Sequence, residues 1–332
     1  MSKVVLGFSG GVDSSVSAVL LQKAGFEVCG LYLDNTDEAA RQEAAASAER
    51  MGIALRVLDV HKELEEKVCR PFTACYLRGE TPNPCILCNP ALKFRALLAE
   101  ADRVGAEQIA TGHYARAEGG ALYKGRPSND QSYMLCRLTR EQVSRLTLPL
   151  GGYEKKQVRA LAEGFGLPAA HKPDSMEICF IPDKDYVNWL GQRAPLPGPG
   201  DFLFHGESIG RHEGIFRWTV GQRIPGLYEG RKLYVSRIDA ARNAIELALW
   251  AELFETSVLA RDFNWLIDTP AEPIRASVRV RHTKWENPPC TARLEGNLVR
   301  IDCDEPVRAP APGQSAVLYD GERLLGGGFI TR

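Results

Sequence analysis

The feature that most restricts the fold of this chain is a short apolar run that leads straight into a glycine loop and then a helical pattern. Val4-Val5-Leu6 precede the loop Ser9-Gly10-Gly11-Val12-Asp13-Ser14-Ser15. Glycines let backbone N–H groups turn inward as an anion nest, the helix N-terminus adds a favourable potential, and serine hydroxyls donate to phosphate oxygens. A lone Gly-Gly would favour an ordinary turn, but this combination predicts a phosphate-binding loop, with Asp13 placed to orient magnesium or the nucleotide.

Short apolar runs alternate with helical patterns through the first third of the chain. The predicted strands are Lys3–Phe8, Glu27–Leu33, Ala54–Val60 and Gln108–Thr111, and the predicted helices are Ser14–Ala24, Asp37–Met51 and Pro90–Val104. Gly25 and Gly52 each follow a helix where a left-handed C-terminal cap is favoured. This alternation predicts an α/β fold in which helices cover a parallel sheet.

The pattern changes in the second half of the chain. Glycine and proline cluster in 194–200, and short alternating segments separated by turn residues run from about Phe263 to Arg332. Such segments favour a small antiparallel barrel. We therefore expect a catalytic domain at 1–182, a small central domain at 183–260 and a C-terminal β-barrel at 261–332.

Composition restricts the class of protein. The 332 residues are 44% hydrophobic and 25% charged, which is typical of a globular protein, and no stretch approaches a membrane span. Met1 leads directly into the first apolar run without a signal-like segment, so we expect a cytoplasmic protein in which the nine cysteines are thiols. A net charge of -1 argues against non-specific binding of polyanions.

Two cysteine-containing segments are candidates for chemistry. Thr81–Asn89 carries Cys85 and Cys88 just before a predicted helix that starts near Ala91. A helix N-terminus and nearby cations favour thiolate over thiol, which makes Cys88 the natural nucleophile. Cys179 stands alone in an apolar stretch, and by itself it would be a buried core thiol.

Taken together, these segments resemble the bacterial tRNA-specific 2-thiouridylase family, whose glycine loop is of the N-type ATP pyrophosphatase kind. The segments that carry the resemblance, in order along the chain, are the glycine loop, Thr81–Asn89, Ala110–Tyr114, Asp130–Tyr133, Ile178–Ile181, Thr219–Arg223, Val280–His282, Pro312–Gln314 and Gly326–Ile330. The resemblance thus extends through all three expected domains. It implies an enzyme that adenylates the 2-oxygen of a uridine at wobble position 34 in the anticodon stem-loop of tRNA and replaces it with sulfur.

The resemblance also implies site residues. The positions implied for ATP are Gly7, Phe8, Ser9, Gly10, Gly11, Val12, Asp13, Ser14, Leu33 and Gly112. The positions implied for tRNA are Asn83, Pro84, Cys85, His113, Asn129, Asp130, Gln131, Arg281, His282 and Gln314. The family's thiolation cysteines fall on Cys179, which carries a persulfide, and Cys88, which releases the sulfur by forming a disulfide. Asp13 is a further catalytic candidate.

One departure from the family changes the expected chemistry. The usual Asn-Pro-Asp reads Asn83-Pro84-Cys85 here, so a carboxylate is missing and Cys85 joins Cys88 in a C-x-x-C pair. Three thiolates at Cys85, Cys88 and Cys179 would hold a 4Fe-4S cluster with one open iron for hydrosulfide. The alternatives are a redox or persulfide pair, a zinc site completed by His113 or another cysteine, and unrelated core thiols. The sulfur donor is accordingly free sulfide or a persulfide-delivering protein.

Basic residues near the C-terminal end provide candidates for RNA contact. Alternation places Arg275, Arg279 and Arg281 on one face of a strand, although a solvated barrel strand explains them equally well without the resemblance. Asn129 replaces the commoner lysine of the family, and we expect the lost charge to weaken one phosphate contact by about 1 kcal/mol or less if it is exposed to solvent.

Two other functions and six other cysteines complete the sequence-based hypotheses. An amide-forming ATP pyrophosphatase would not need three site cysteines, and an inactive tRNA-binding protein would not need an intact glycine loop. For Cys69 and Cys75 we expect packing rather than chemistry. The cysteines in apolar, strand-like runs are assigned no chemistry; they are Cys29, Cys136, Cys290 and Cys303.

Overall fold

A computed structural model describes residues 2–35, 38–172, 178–181, 183–226, 230–282 and 287–332. The chain forms two compact units. The first unit comprises Met1–Lys67, Cys85–Met176 and Glu322–Leu324. The second unit comprises Val68–Pro84, Glu177–Gly321 and Leu325–Arg332.

The helices and strands of the described residues are as follows. The α-helices are α1 Val12–Lys23, α2 Glu38–Arg50, α3 His61–Leu64, α4 Arg70–Leu77, α5 Pro84–Cys88, α6 Phe94–Val104, α7 Arg140–Ser144, α8 Lys155–Gly164 and α9 Tyr186–Gly191. π-helical turns span Glu65–Cys69 and Asn89–Lys93. The strands are β1 Lys3–Gly7, β2 Glu27–Asp34, β3 Ala54–Asp59, β4 Gln108–Ala110, β5 Ala115–Glu118, β6 Ala121–Lys124, β7 Leu146–Thr147, β8 Gly200–Phe204, β9 Glu207–His212, β10 Arg223–Ile224, β11 Leu233–Asp239, β12 Ala244–Ala248, β13 Phe254–Trp265, β14 Ile274–Arg279, β15 Pro289–Glu295, β16 Leu298–Arg308, β17 Ser315–Asp320 and β18 Arg323–Thr331.

The first unit contains the predicted parallel sheet, with strand order β3-β2-β1-β4-β7. Val4, Val5 and Leu6 of the central strand β1 are fully buried, as expected for a parallel strand with both faces covered. The predicted caps are also present, because Gly25 and Gly52 have φ of +88° and +63° directly beyond α1 and α2. The α/β prediction for this part of the chain is confirmed.

The second unit contains two sheets. The central sheet has the order β10-β11-β12-β8-β9, in which only the pairing of β12 with β8 is parallel. The other sheet is a barrel of the order β13-β16-β15-β14-β17-β18, and β13 closes it by pairing with β18. The predicted C-terminal β-barrel is therefore confirmed.

The barrel closes because β13 is long and irregular. Its first part pairs with β16 and its second part with β18, with a register shift between Arg261 and Asn264. Asp262 lies at this shift with φ of +51°, the local geometry of a bulge that bends a strand. β13 begins at Phe254, earlier than the barrel start we expected at residue 261.

No helix in the described part of the chain is long and apolar enough to cross a membrane. The longest continuous helical run of these residues, 84–104, contains Lys93, Arg95, Glu100, Asp102 and Arg103, whereas a helical span needs about 20 predominantly apolar residues.

Candidate active site

The glycine loop connects β1 to α1 and is shaped by bonds among its own residues. The Ser14 hydroxyl lies 3.3 Å from the Ser9 backbone nitrogen, which donates to it, and 3.2 Å from the Ser9 hydroxyl. Ser14 also donates to the Gly11 carbonyl at 3.1 Å. Gly10 has φ of +72°, and a Cβ there would lie 2.9 Å from Cα of Ala44, so the position accepts only glycine. This is the geometry predicted for a phosphate-binding turn at a helix N-terminus.

Leu33 and Gly112, the other positions implied for ATP, belong to neighbouring strands of the same sheet. Leu33 lies near the carboxyl end of β2, and Gly112 follows β4. Because β1 lies between β2 and β4 and all three run parallel, their carboxyl ends share one edge of the sheet. A Cβ on Gly112 would lie 3.0 Å from Cβ of Asp13, which shows how closely this turn approaches the glycine loop. Their nucleotide contact stays a prediction.

Asp13 is the centre of a polar cluster that the sequence did not reveal. Nζ of Lys155, the first residue of α8, lies 2.8 Å from each carboxylate oxygen of Asp13. The Tyr114 hydroxyl donates to the same carboxylate at 2.6 Å. Lys155 is 142 positions from Asp13 in the chain, so no local pattern pairs them. The prediction that Asp13 orients magnesium stays open, but its charge is already balanced by an ammonium group.

His113 lies beside the same edge and is held in a neutral form. Its Nδ1 is 2.7 Å from the Thr111 hydroxyl, and its ring packs against Phe94 at 5.9 Å between centroids. Burial, with a smaller effect from the positive charge of Lys93, lowers the pKa of His113 well below its usual value of 6.5. A neutral imidazole suits hydrogen bonding to a base rather than attraction to a phosphate.

The segment predicted to contact RNA at 129–131 is bound into the first unit. The buried Asp130 carboxylate accepts from the Gly125 nitrogen at 2.8 Å and from the Ser132 nitrogen and hydroxyl, both at 3.0 Å. Gln131 exchanges two bonds with the Tyr114 backbone, and Asn129 donates to the Tyr153 carbonyl at 3.4 Å. These bonds fix a turn next to Tyr114, and the proposed RNA contacts of the segment stay untested.

The cysteine pair differs from the sequence expectation in one respect. Helical turns begin at Pro84, continue through Asn89–Lys93 and run on as α6, so no new helix starts near Ala91. The expectation that Cys88 lies near a helix start is therefore wrong, and Cys85 occupies that place. The two residues are three apart on one helical turn, which puts both on one face. Cys85 is exposed and Cys88 half-buried.

Cys179 is exposed, contrary to the default of a buried core thiol. Its neighbour Phe180 is buried and packs edge-on against Phe72, with ring centroids 5.4 Å apart, and against Trp189 at 5.2 Å. Phe180 therefore packs into the second unit and holds the apolar stretch in place, while Cys179 faces solvent. Residues 173–177 and Pro182, which belong to the same motif and to the predicted domain boundary, lie outside the described residues.

The other cysteines described next are buried or have a thiol that ionises less readily. Cys69, Cys136, Cys290 and Cys303 are buried, and burial raises the pKa of Cys75 to about 11. Among the described residues, no group of three or more His, Cys, Asp or Glu side chains is arranged to hold a metal ion. The 4Fe-4S cluster expected from the three site cysteines is thus not supported.

The RNA-contact candidates of the second unit are bonded to backbone carbonyls. Arg281 lies beyond the end of β14, so it does not share a strand face with Arg275 and Arg279 as predicted. Its guanidinium donates to the carbonyls of Val220 and Ala309, the latter at 2.9 Å. Arg275 forms a two-pronged ion pair with Asp304, at 3.0 and 2.6 Å.

Gln314, Asn83 and Pro84 belong to the same region of the second unit. The Gln314 side-chain amide donates to the Thr81 carbonyl at 2.9 Å. Asn83 and Pro84 follow Thr81 after Pro82, and both are half-buried. His282, next to Arg281, is exposed. Their contact with tRNA stays a prediction.

Comparison with known proteins identifies similar sequences over the whole chain. Three family models match, described as the tRNA methyl transferase HUP domain at residues 2–183, the tRNA methyl transferase PRC-barrel domain at 190–248 and the aminomethyltransferase beta-barrel domain at 255–330. The tRNA-specific 2-thiouridylase of Pelotomaculum thermopropionicum is 43% identical, with 99% of this chain and 97% of that protein covered. The enzyme of the same name from Syntrophotalea carbinolica is 40% identical, with 99% and 98% covered.

Solved structures give more distant similarities. A 4-thiouridine synthetase in complex with RNA and ATP is 21% identical, covers 57% of this chain and 50% of that chain, and has a TM-score of 0.37. The NMN synthetase of Francisella tularensis is 19% identical, covers 52% of this chain and 66% of that chain, and has a TM-score of 0.35.

Proposed function

This chain belongs to the tRNA-specific 2-thiouridylase family, and from that premise we propose that it uses ATP to replace the 2-oxygen of a tRNA uridine with sulfur. The observation that carries the proposal is similarity over 99% of the chain to relatives of that name. The glycine loop adds a physical reason, because it places serine hydroxyls at the N-terminus of α1, where the phosphates of ATP are favoured.

The reaction proceeds in two steps in this proposal. The uridine 2-oxygen attacks the α-phosphorus of ATP, so an O–P bond forms and pyrophosphate leaves. A sulfur nucleophile then attacks C2 of the base, and the original oxygen departs with AMP. The glycine loop would hold the phosphates by N–H groups at the N-terminus of α1, which stabilises the charge that develops on them.

Magnesium would reduce the charge repulsion of the triphosphate when bound. Asp13, the carboxylate proposed for it, has both oxygens bonded to Lys155, so direct ligation by Asp13 does not fit this arrangement.

For the substrate, we propose the anticodon stem-loop of tRNAs that carry a wobble uridine at position 34. Direct reading of single-stranded loops by hydrogen bonds and stacking is the usual mode of sequence-specific RNA recognition. The neutral imidazole of His113 supports contact with a base, and the predicted contacts at 83–85, 129–131, 281–282 and 314 would add to it.

A more specific part of the proposal concerns which group of the protein carries the sulfur. A 4Fe-4S cluster on Cys85, Cys88 and Cys179 does not fit the donor arrangement of the described residues. In the alternative, the terminal sulfur of a Cys179 persulfide attacks C2, and Cys88 then attacks the Cys179 sulfur. This releases the 2-thiouridine and leaves a disulfide that a cellular thiol must reduce. The exposure of Cys179 supports delivery of sulfur by a partner protein.

We also propose the domain division 1–182, 183–260 and 261–332, and action in the cytoplasm. The three family-model ranges support the division, although β13 places the start of the barrel nearer residue 254.

One experiment tests the proposed function and distinguishes it from an amide-forming ATP pyrophosphatase and from an inactive tRNA-binding protein. Pyrophosphate release and 2-thiouridine formation are measured with unmodified tRNA, without tRNA, and with carboxylic or amino substrates. We expect release that depends on tRNA. Release that depends instead on a carboxylate would identify an amide-forming enzyme, and no release under any condition would leave a tRNA-binding protein.

A parallel measurement addresses the sulfur carrier. The protein is purified without oxygen, its iron and acid-labile sulfide are quantified, and thiolation is assayed with free sulfide and with a persulfide donor. About four irons per chain, lost in Cys85→Ala, would establish the cluster. An active protein without iron that requires the persulfide donor would establish the Cys179 route.

A further inference from the structure

The segment Gly79–Pro84, which leads into α5 and its cysteines, is held by both sheets of the second unit. Gly79 has φ of +72°, and a Cβ there would lie 2.6 Å from Cγ2 of Ile238 in β11 of the central sheet. Glu80 forms ion pairs with Arg78 at 2.7 Å and with Arg261 of the barrel strand β13 at 3.5 Å. The segment is therefore fixed from two directions before it reaches Cys85.

Thr81 uses every polar group it has in this arrangement. Its nitrogen donates to the Pro312 carbonyl at 2.8 Å, and its carbonyl accepts from the Gln314 side chain at 2.9 Å. Its hydroxyl donates to the Thr219 hydroxyl at 3.3 Å. Three partners from two distant parts of the chain thus converge on one residue of the segment.

The turn that holds Thr81 is rigid and fits closely. The Gly313 nitrogen donates to the Ile330 carbonyl at 3.1 Å, and the Ile330 nitrogen donates to the Gln314 carbonyl at 2.8 Å, so β18 fixes the turn. Gly313 has φ of +87°, and a Cβ there would lie 2.9 Å from Cβ of Glu80 and 3.0 Å from the Thr81 nitrogen. Any side chain at 313 would push the segment away.

The loop that carries Thr219 is tied to the barrel as well. Arg281 donates to the carbonyls of Val220 and Ala309, and Arg308 donates to the Gly221 carbonyl at 2.9 Å. A Cβ on Gly221 would lie 2.9 Å from Cβ of Ala309. The two groups that hold Thr81, at 219 and at 312–314, are therefore parts of one framework.

We propose that Gln314, Gly313 and Thr219 are positioning residues for thiolation, which act by fixing Thr81 and thereby the entry of the chain into α5. The inference rests on the proposed function, since it gives the barrel a role in placing Cys85 and Cys88 as well as in binding RNA. Gln314 carries two N–H groups and one oxygen, and Thr81 uses one N–H. A nucleotide bound to the same amide would act on the segment that leads into α5 and its cysteines.

The first test compares Gln314→Ala with Gln192→Ala, a change at an exposed glutamine of the same unit. Hydrogen–deuterium exchange of residues 79–84 is measured without tRNA, and kcat and KM for tRNA are measured separately. Loss of one hydrogen bond should speed exchange about three- to tenfold. We expect kcat to fall by a similar factor, with ATP binding unchanged and no effect in the control.

A second pair of variants keeps the proposal testable if Gln314→Ala folds poorly. Thr219→Val removes a hydroxyl at constant size, and Gly313→Ala is compared with Gly296→Ala, whose φ of +63° is similar but whose Cβ would meet nothing within 4 Å. Faster exchange at 79–84 with reduced kcat supports positioning. A raised KM with unchanged exchange and kcat would overturn the proposal and leave Gln314 as an RNA contact only.

Failure of this inference is distinguishable from failure of the proposed function. If the unmodified protein forms no 2-thiouridine, the proposed function fails, yet the exchange data still report whether Thr81 is fixed by Gln314. If the unmodified protein is active and the exchange of 79–84 is the same in all variants, only the positioning role is rejected.

Discussion

The glycine loop of the first unit and the segment 79–84 of the second unit are both turns that lead into a helix, but they are held by different kinds of contact. The loop is shaped by bonds between residues at most five apart in the chain, such as Ser9 with Ser14. Thr81 is held by Thr219 and Gln314, which are 138 and 233 positions away. One turn is specified locally, and the other is specified by the fold around it.

This difference separates two kinds of sensitivity to mutation. The loop depends on glycine conformation and on a few hydroxyls, so changes within it should act on ATP binding alone. The segment 79–84 is held by two sheets, so substitutions at residues far away in the sequence should affect thiolation by the cysteines that follow it. Predictions that separate ATP binding from thiolation therefore test whether the comparison holds.

The largest effect is expected at the cysteines. Cys179→Ser and Cys88→Ser should each lower 2-thiouridine formation at least about 1000-fold, because a hydroxyl cannot carry or exchange sulfur. Pyrophosphate release that depends on tRNA should continue, since the glycine loop is built by other residues. Cys29→Ser, at a half-buried thiol with no assigned chemistry, is the matched control. Substantial thiolation by Cys179→Ser would contradict this prediction.

The next effect is expected at Gly10. Alanine there combines a left-handed φ with a Cβ 2.9 Å from the Ala44 backbone, a strain of about 1–3 kcal/mol. ATP affinity, measured by calorimetry, should fall at least about tenfold because the loop must shift. Gly52→Ala has a similar φ of +63° but open space around its Cβ, so it controls for conformation alone. An equal loss of ATP affinity in both variants would show that the close contact between residue 10 and Ala44 is unimportant.

The contrast between the two turns also explains what the sequence could predict. The strands and helices around the sheet follow from apolar periodicity, and Gly25 and Gly52 mark helix ends because their conformation is a local property. The pairing of Lys155 with Asp13 and of Gln314 with Thr81 could not be predicted, because neither leaves a local pattern. The predicted helix start near Ala91 is too late for a different reason, since proline is favoured in the first turn of a helix and Pro84 begins α5.

A smaller effect is expected at Lys155. Lys155→Met leaves the Asp13 carboxylate without its ammonium partner beside the phosphate loop, and like charge should weaken ATP binding about tenfold. The double variant Asp13→Asn with Lys155→Met restores the charge balance and should recover part of the affinity. Lys156→Met, at a mostly exposed neighbour, is the control. If the double variant binds ATP no better than the single one, the lysine acts on ATP directly rather than through Asp13.

The smallest effect is expected at Asn129, where a lysine would restore the family's commoner charge. Asn129 is half-buried, and its side chain donates to the Tyr153 carbonyl at 3.4 Å and accepts from the exposed Ser128 hydroxyl at 2.8 Å, so the replacement removes two hydrogen bonds. Asn129→Lys should tighten tRNA binding by a few-fold and steepen its salt dependence by about one phosphate contact. Asn297→Lys adds the same charge at an exposed hairpin of the barrel. Equal tightening in both variants would reflect net charge alone, whereas a gain confined to Asn129 would show that RNA contacts the unit that carries the glycine loop.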